Sequence, residues 1–403
     1  MKNIYLSKTI VFIVLPILSL YVGFFFDEDL STGGSKLDFF HTLPAVIDYS
    51  SFIYDQSFLH TRHFPLHYMI LSLPYIFYED IFFIRILYIT TSLLLPFLLY
   101  LNLIKLYKFQ EFNCLIISFS LLLLPFVRSS AIWPNAHLTA VIFFLASNYY
   151  YLLTLEKSKF IYKFLNIFFL SLATYSIQSY AILFFYYIFY YFKNISKKEM
   201  AFIIIICIFF SLPGIYLVLN IPEDRGLRFT KNISGTLLTN LSIVFFFLSF
   251  FLFNKLNFSL FKKYLFQIKP IEILIAIIFF IFLIFTYEKI SNFGGGFFYK
   301  MSFFLLNNDM LFFITSFFGL VTCYIFFKFE KKLFFSILLI NLTAIAYYTS
   351  QKYFEPLLIV AIFIMSENFL SKNIIQNFKS CMLFFLLIFL YFNTVLIYVN
   401  LSL

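Results

Sequence analysis

Apolar runs of near-membrane length, separated by short polar breaks, set the pattern of this chain. A helix that crosses a bilayer needs about 20 mostly apolar residues. Thirteen stretches approach that length: 4–26, 82–104, 112–128, 136–155, 159–177, 179–192, 200–220, 234–254, 271–287, 309–327, 333–349, 356–370 and 381–400. The weakest divisions are the 159–192 pair, parted only by Ser176–Tyr180, and the short 356–370 run. A barrel would show segments of about 10 residues with alternating polarity, and none occurs. The pattern predicts an all-α polytopic membrane protein of about 13 transmembrane helices, with no separate soluble domain.

One stretch breaks the pattern. Between the first two runs, residues 27–81 collect Asp27, Glu28, Asp29, Asp38, Asp48, Asp55, Glu79 and Asp80, with His41, His60, His63 and His67. Ionisable groups are expensive near lipid, so their concentration marks a working site. Leu37–Asp55 has helical period: Asp38, His41, Asp48, Ser51 and Asp55 share one face, and Phe40, Leu43, Ile47 and Ile53 another. That is an amphipathic helix suited to the membrane surface. Pro44 starts or kinks it, and Gly33-Gly34 permits a tight turn before it. A second surface helix is expected from Phe64-Pro65, with proline in its first turn, to about Phe77, ended by Glu79-Asp80.

Composition sharpens the class. The chain is 62% hydrophobic and 12% charged, against roughly 45–50% and about 25% in soluble domains. Its net charge of +10 is accounted for by the positive-inside rule, not by nucleic acid. With the N-terminus placed in the cytoplasm and the runs alternating, nineteen of the 29 basic residues fall inside, all lysine. The outer side takes all five arginines, all five histidines and the acidic clusters. Topology does not demand outer acids, arginines and histidines, so chemistry is expected at the outer face. Cys114, Cys207, Cys323 and Cys381 lie in apolar runs without metal-ligand spacing or a disulfide partner. The basic start leads into an apolar run too long for a signal peptide. The composition and the lack of targeting signals favour a bacterial inner membrane.

Several side chains carry more than one reading. Asp27, Glu28 and Asp29 follow the first run and read equally as solvated punctuation. Asp38 and His41 lie one turn apart, as do His63 and His67, but such pairs are weak metal signals. No metal ligand is assigned. Arg85 snorkels, pairs with Asp80 or binds a phosphate. Trp133 is most simply an interfacial anchor, and Gly294-Gly295-Gly296 lacks the Lys-Ser/Thr of a nucleotide loop.

The order of these pieces resembles the polyprenyl-phosphate-sugar-dependent glycosyltransferases of the GT-C superfamily, in a family-39-like form. An acidic motif, Asp27-Glu28-Asp29, follows the first run, with a second candidate at Asp38-Phe-Phe-His41. A long outer loop carries two surface helices. His63-Phe-Pro65-Leu-His67-Tyr68 is similar to the family's His-Pro-Pro-Leu-Tyr-Tyr, with Phe64 in place of the first proline. Arg85-Ile-Leu stands where the family often has Arg-Leu. The likeness covers roughly residues 1–155 as a catalytic module with its outer loop 27–81; residues 156–403 share only the architecture.

The resemblance implies inverting transfer, at the periplasmic face, of a hexosyl or pentosyl group from a polyprenyl-phosphate donor to a lipid- or glycan-linked acceptor. The base would come from Asp38 or Asp29, with Asp27 and Glu28 beside them. Substrate contacts would come from Lys36, His41, His63, His67, Tyr68, Arg85, Arg225 and Arg228. A divalent cation is compatible with this chemistry but not required. Three other readings compete, one of them a non-catalytic membrane scaffold, which would not need acids and histidines gathered beside a proline-led surface helix. An O-antigen-type polymerase would place its large outer loop late in the chain. A lipid-linked-oligosaccharide flippase or other transporter would show mid-span charges and paired halves.

Overall fold

The computed structural model describes residues 2–31, 34–51, 63–108, 110–220, 232–288, 295–343, 351–365 and 367–402. The described chain is helical throughout. It divides by internal contacts into two units, Met1–Gly226 with Phe385–Leu403, and Leu227–Phe384.

In the first unit, α1 (Lys2–Phe25) is followed by α2 (Gly34–Ser50) and α3 (Leu66–Tyr78), then α4 (Ile81–Ser92) and α5 (Leu94–Leu106). Next come α6 (Glu111–Ser120), α7 (Pro125–Ile132), α8 (Ala136–Glu156), α9 (Phe160–Ser176), α10 (Phe184–Asn194) and α11 (Lys197–Asn220). The second unit holds α12 (Ile233–Leu252), α13 (Lys255–Phe266), α14 (Pro270–Phe285), α15 (Phe297–Leu306), α16 (Met310–Phe329), α17 (Lys331–Thr343), α18 (Leu357–Ile364) and α19 (Phe369–Ile375). The last helix, α20 (Phe378–Ser402), begins in the second unit and ends in the first.

A helix occupies each of the thirteen apolar runs, but fewer have the length of a crossing. Among the described residues six helices are long and apolar enough, or up to nine if each sharply bent pair counts as one span. The reason is local. Leu124 is extended (φ −66°, ψ 127°) ahead of Pro125, as a residue before proline prefers, and α6 and α7 meet at 65°. The 356–370 run is likewise broken, with α18 and α19 bent by 84°. The 179–192 run opens as a 3-10 helix before α10, which has only 11 residues.

Lipid is the solvent these surfaces fit. Along α11 the residues Ile205, Ile208, Phe209, Leu212, Tyr216 and Leu219 are all exposed. Water would not tolerate an apolar face of that extent. All four cysteines are free.

Both helices expected in the first loop are present. α2 starts three residues earlier than predicted and carries Pro44 internally. Its buried seam is Phe39, Ala45, Val46 and Tyr49, while Leu37, Phe40 and Ile47 stay exposed. The face expected against the membrane is therefore outward, and a separate seam serves the protein. Asp55 and His60 lie outside the described residues.

The two ends of α8 carry different charged groups. α8 has 21 residues, or about 30 Å at 1.5 Å per residue. At its far end Glu156 pairs with Lys105 at 2.8 Å, and Lys163 of α9 pairs with Glu199 of α11 at 2.8 Å. At its start stand His137 and the arginine–carboxylate pairs described next.

Candidate functional site

The site is built where α1 ends. Glu28 N–H donates to the Gly23 carbonyl (2.9 Å) and Asp27 N–H to that of Phe24 (3.1 Å). This is a Schellman closure with Asp27 at the left-handed position, φ 52°. Glycine usually fills that place; a carboxylate residue tolerates it at some cost. The closure sends three successive acids in three directions.

Asp27 turns to Arg85 of α4, whose Nη2 donates to Oδ1 at 2.7 Å. The Asp27 side chain is 54% exposed against 9% for Arg85, and its Oδ2 makes no hydrogen bond to a described residue. Glu28 turns inward to Arg128 of α7, which grips it with Nε (2.6 Å) and Nη2 (2.9 Å). Arg128 is 1% exposed and also donates to the Ser19 hydroxyl (3.0 Å) and carbonyl (2.9 Å). Gly23 leaves room for this clasp: a Cβ there would lie 2.8 Å from Arg128 Nη2 and 2.9 Å from Glu28 Oε2 and would push the pair aside. Asp29 turns to the chain itself. Its Oδ2 accepts from Lys36 N–H (2.8 Å), and Oδ1 accepts from the Ser31 amide (2.9 Å) and hydroxyl. It thus serves as a cap for α2.

Helix α7 ties these pieces together. Besides Arg128, its Ser129 hydroxyl accepts from Leu30 N–H at 2.8 Å, and its Ile132 carbonyl accepts from Arg85 Nε at 3.1 Å. Trp133, which closes α7, is 2% exposed. The Arg85 guanidinium lies 3.6 Å from its ring centroid and the Lys36 ammonium 4.8 Å. Phe39 and Phe40 of α2 pack at 6.1 and 5.8 Å. Trp133 is therefore not an interfacial anchor: the stacked cations and the α2 aromatics enclose it. Arg85 pairs with Asp27, and Asp80 instead accepts from Phe82 N–H at 2.9 Å to cap α4.

The histidines form an adjoining group. His67 is 1% exposed, and its Nδ1 lies 2.8 Å from the Thr139 hydroxyl, which meets Tyr88 Oη at 2.9 Å. Tyr88 donates to the Asn135 carbonyl at 2.8 Å. Burial, with His63 adding a like charge, lowers His67 from 6.5 to about 3 against the opposing pull of the Pro134 carbonyl. His67 is thus a neutral hydrogen-bonding residue beneath the surface. His63 packs edge-on against His137 at 5.4 Å. Among the described residues no cluster of three or more His, Cys, Asp or Glu fits a metal ion.

The remaining expected residues separate. Asp38 is half-buried on α2, close to Tyr68; burial first, then Asp38 and Tyr49, push that phenol upward. Tyr68 itself is 2% exposed. His41 is exposed, and Lys36 is exposed over Trp133. Arg225 and Arg228 lie outside the described residues, just beyond the end of α11. Sequence reasoning missed Arg128 and Trp133 as parts of the site. Their signal was present: an arginine, the rarer of the two basic residues here, five residues before the chain's single tryptophan.

No family model, no curated protein and no solved structure matches the chain. The class that fold and composition define is a helical membrane protein with several membrane-length helices.

Proposed function

We propose that this protein is a membrane glycosyltransferase of the GT-C kind. In this reading the thirteen apolar runs are its membrane segments, the N-terminus is cytoplasmic, and the cluster at the end of α1 faces the periplasm. A sugar passes, with inversion, from a polyprenyl-phosphate carrier to a glycan- or lipid-linked acceptor. The observation that carries the reading is Asp27: an exposed carboxylate with one oxygen on Arg85 and the other open.

The chemistry needs few parts. The acceptor hydroxyl attacks the anomeric carbon, and its proton passes to a carboxylate within hydrogen-bond reach. The bond from the anomeric carbon to the phosphate oxygen breaks, and that oxygen keeps the electron pair. Arg85 and Lys36 stabilise the charge left on the lipid phosphate. Asp27 is the first choice for the base because Glu28 and Asp29 are fully engaged. Asp38, one turn from His41 on α2, is the second.

Purified Asp27→Asn and Asp38→Asn proteins, supplied with a panel of radiolabelled polyprenyl-phosphate hexoses and pentoses and with membrane acceptors, test the reading. Loss of a general base lowers transfer by about 10²–10⁴-fold, so one variant should be nearly inactive while remaining folded. Unchanged transfer in both would remove the proposal.

A further inference from the structure

Helix α13 lies across the ends of two membrane-length helices. Both α12 and α16 are long and apolar enough to cross a bilayer. The first of them runs into α13 through Asn254, whose side chain accepts from Leu256 N–H at 2.9 Å. Phe329, the last residue of α16, stacks on Tyr264 of α13 at 4.7 Å, and the Tyr264 hydroxyl donates to Glu330 at 3.2 Å. Beyond α13 the chain turns by 98° into α14. Asn257, fully buried, pins the inner face of α13 to the carbonyls of Phe251 (2.9 Å) and Leu370 (3.0 Å). The outer face carries Lys255, Phe258, Lys262, Lys263 and Phe266, all exposed. Phe258, Lys262 and Phe266 follow at four-residue steps, which sets them along one ridge.

We propose that α13 lies flat in the headgroup layer and seats anionic phospholipids. The charge here is one-sided. Lys255, Lys262, Lys263, Lys269, Lys331 and Lys332 are exposed, and none forms an ion pair among the described residues. Lys328 spends its charge on Glu272 at 2.7 Å. With Glu330 counted, seven lysines stand against two carboxylates, and five positive charges are left over. Helix α19, joined to α13 by Asn373 and Asn257 at 2.8 Å, adds one charge of each sign in Lys372 and Glu367. Topology asks for lysines on one side of a membrane, but not for rings set between them. Water over this face would leave Leu256, Phe258 and Phe266 bare. At the headgroup boundary the rings and lysine stems bury against acyl chains while the ammonium groups reach phosphates. A zwitterionic headgroup leaves the five charges uncompensated. An anionic one offsets them, which raises affinity about fivefold for each lysine near the surface.

None of these residues takes part in the proposed sugar transfer, so the two readings fail independently. Native mass spectrometry of the full chain, titrated in detergent with phosphatidylglycerol and with phosphatidylcholine, counts the lipid retained. The first phosphatidylglycerol should be held far more tightly than phosphatidylcholine. Lys255→Gln, Lys262→Gln and Lys263→Gln combined remove three surface charges and should weaken it about a hundredfold. A control that combines Lys193→Gln, Lys197→Gln and Lys198→Gln, three exposed lysines of the first unit, should leave it unchanged. Phe258→Gln with Phe266→Gln should weaken phosphatidylglycerol and leave the binding of inorganic triphosphate as in the parent. Equal retention of the two lipids by the parent overturns the proposal. Parental affinity in the α13 lysine variant, or the same loss in the control, overturns it as well. Displacement of phosphatidylglycerol by an equal concentration of triphosphate would assign the lysines to a dissolved polyanion and remove the lipid seat.

Discussion

Two polar clusters lie within the first unit, and they are built on opposite plans. At the end where α8 begins, Asp27 pairs with Arg85 over Trp133 and Glu28 pairs with Arg128. Nearer the end where α8 finishes, Asn102, Ser147, Asn148, Asn166, Tyr187 and Tyr191 form a neutral network. Asn148 donates to Asn102 at 2.9 Å and accepts from Tyr187 at 3.0 Å, while Asn166 donates to the Ser147 hydroxyl at 2.8 Å and accepts from Tyr191 at 3.0 Å. All six of these side chains are fully buried. The neutral network joins α5, α8, α9 and α10 and leaves little unsatisfied, which is what packing in lipid requires. The charged cluster keeps a carboxylate in solvent, a left-handed aspartate and an indole N–H with no partner among the described residues. A cluster built for stability alone has no use for those features; strain and unspent groups are tolerated where something else is selected.

That contrast can be broken experimentally, and the largest effect should come from Arg128. Arg128→Met strands a mostly buried carboxylate on Glu28. Removing one partner of a buried pair costs about 3–5 kcal/mol, so the thermal midpoint in detergent should fall sharply. A midpoint within a degree of the parent would mean that the clasp holds nothing. A smaller loss is expected from Asn148→Leu, which unpairs Asn102 and Tyr187. Interhelical hydrogen bonds in membranes are worth about 0.6–2 kcal/mol, and here stability should drop with sugar transfer per folded molecule unchanged. Impaired transfer in well-folded Asn148→Leu would erase the distinction between the clusters.

The smallest effect is a pH slope. Folded His67 titrates near 3, whereas its ordinary value is 6.5. Between those values the unfolded chain binds the extra proton, so stability rises with pH there. The His67 contribution is complete above about pH 6.5 and is lost progressively as pH falls toward 3. Unfolding midpoints measured from pH 7 to pH 5 should decline in the parent and decline less in His67→Gln. Identical slopes would show that His67 does not carry the dependence.

The helical character of the chain was open to reading from one dimension. Hydrophobic run length depends on composition over a window, and lipid imposes a helix on any such run because backbone groups find no partner there. Each of the thirteen runs accordingly carries a helix. Their lengths were less legible, since a single X-Pro step at Leu124-Pro125 converts one run into two helices. The two helices of the first loop were also visible, the first from its amphipathic period and the second from the proline at its start and the acids at its end.

Pairing was a different matter. Asp27, Glu28 and Asp29 are chemically alike neighbours, and nothing along the chain separates their roles. The left-handed turn at Asp27 does so, sending one to Arg85, one to Arg128 and one to the first turn of α2. Arg128 lies one hundred residues from Glu28, and Arg85 fifty-eight from Asp27. Local sequence determines which segments seek lipid and which carry charge, because solvation acts on each residue separately. Which charges meet depends on how α1, α4 and α7 converge, and only the packed structure decides that.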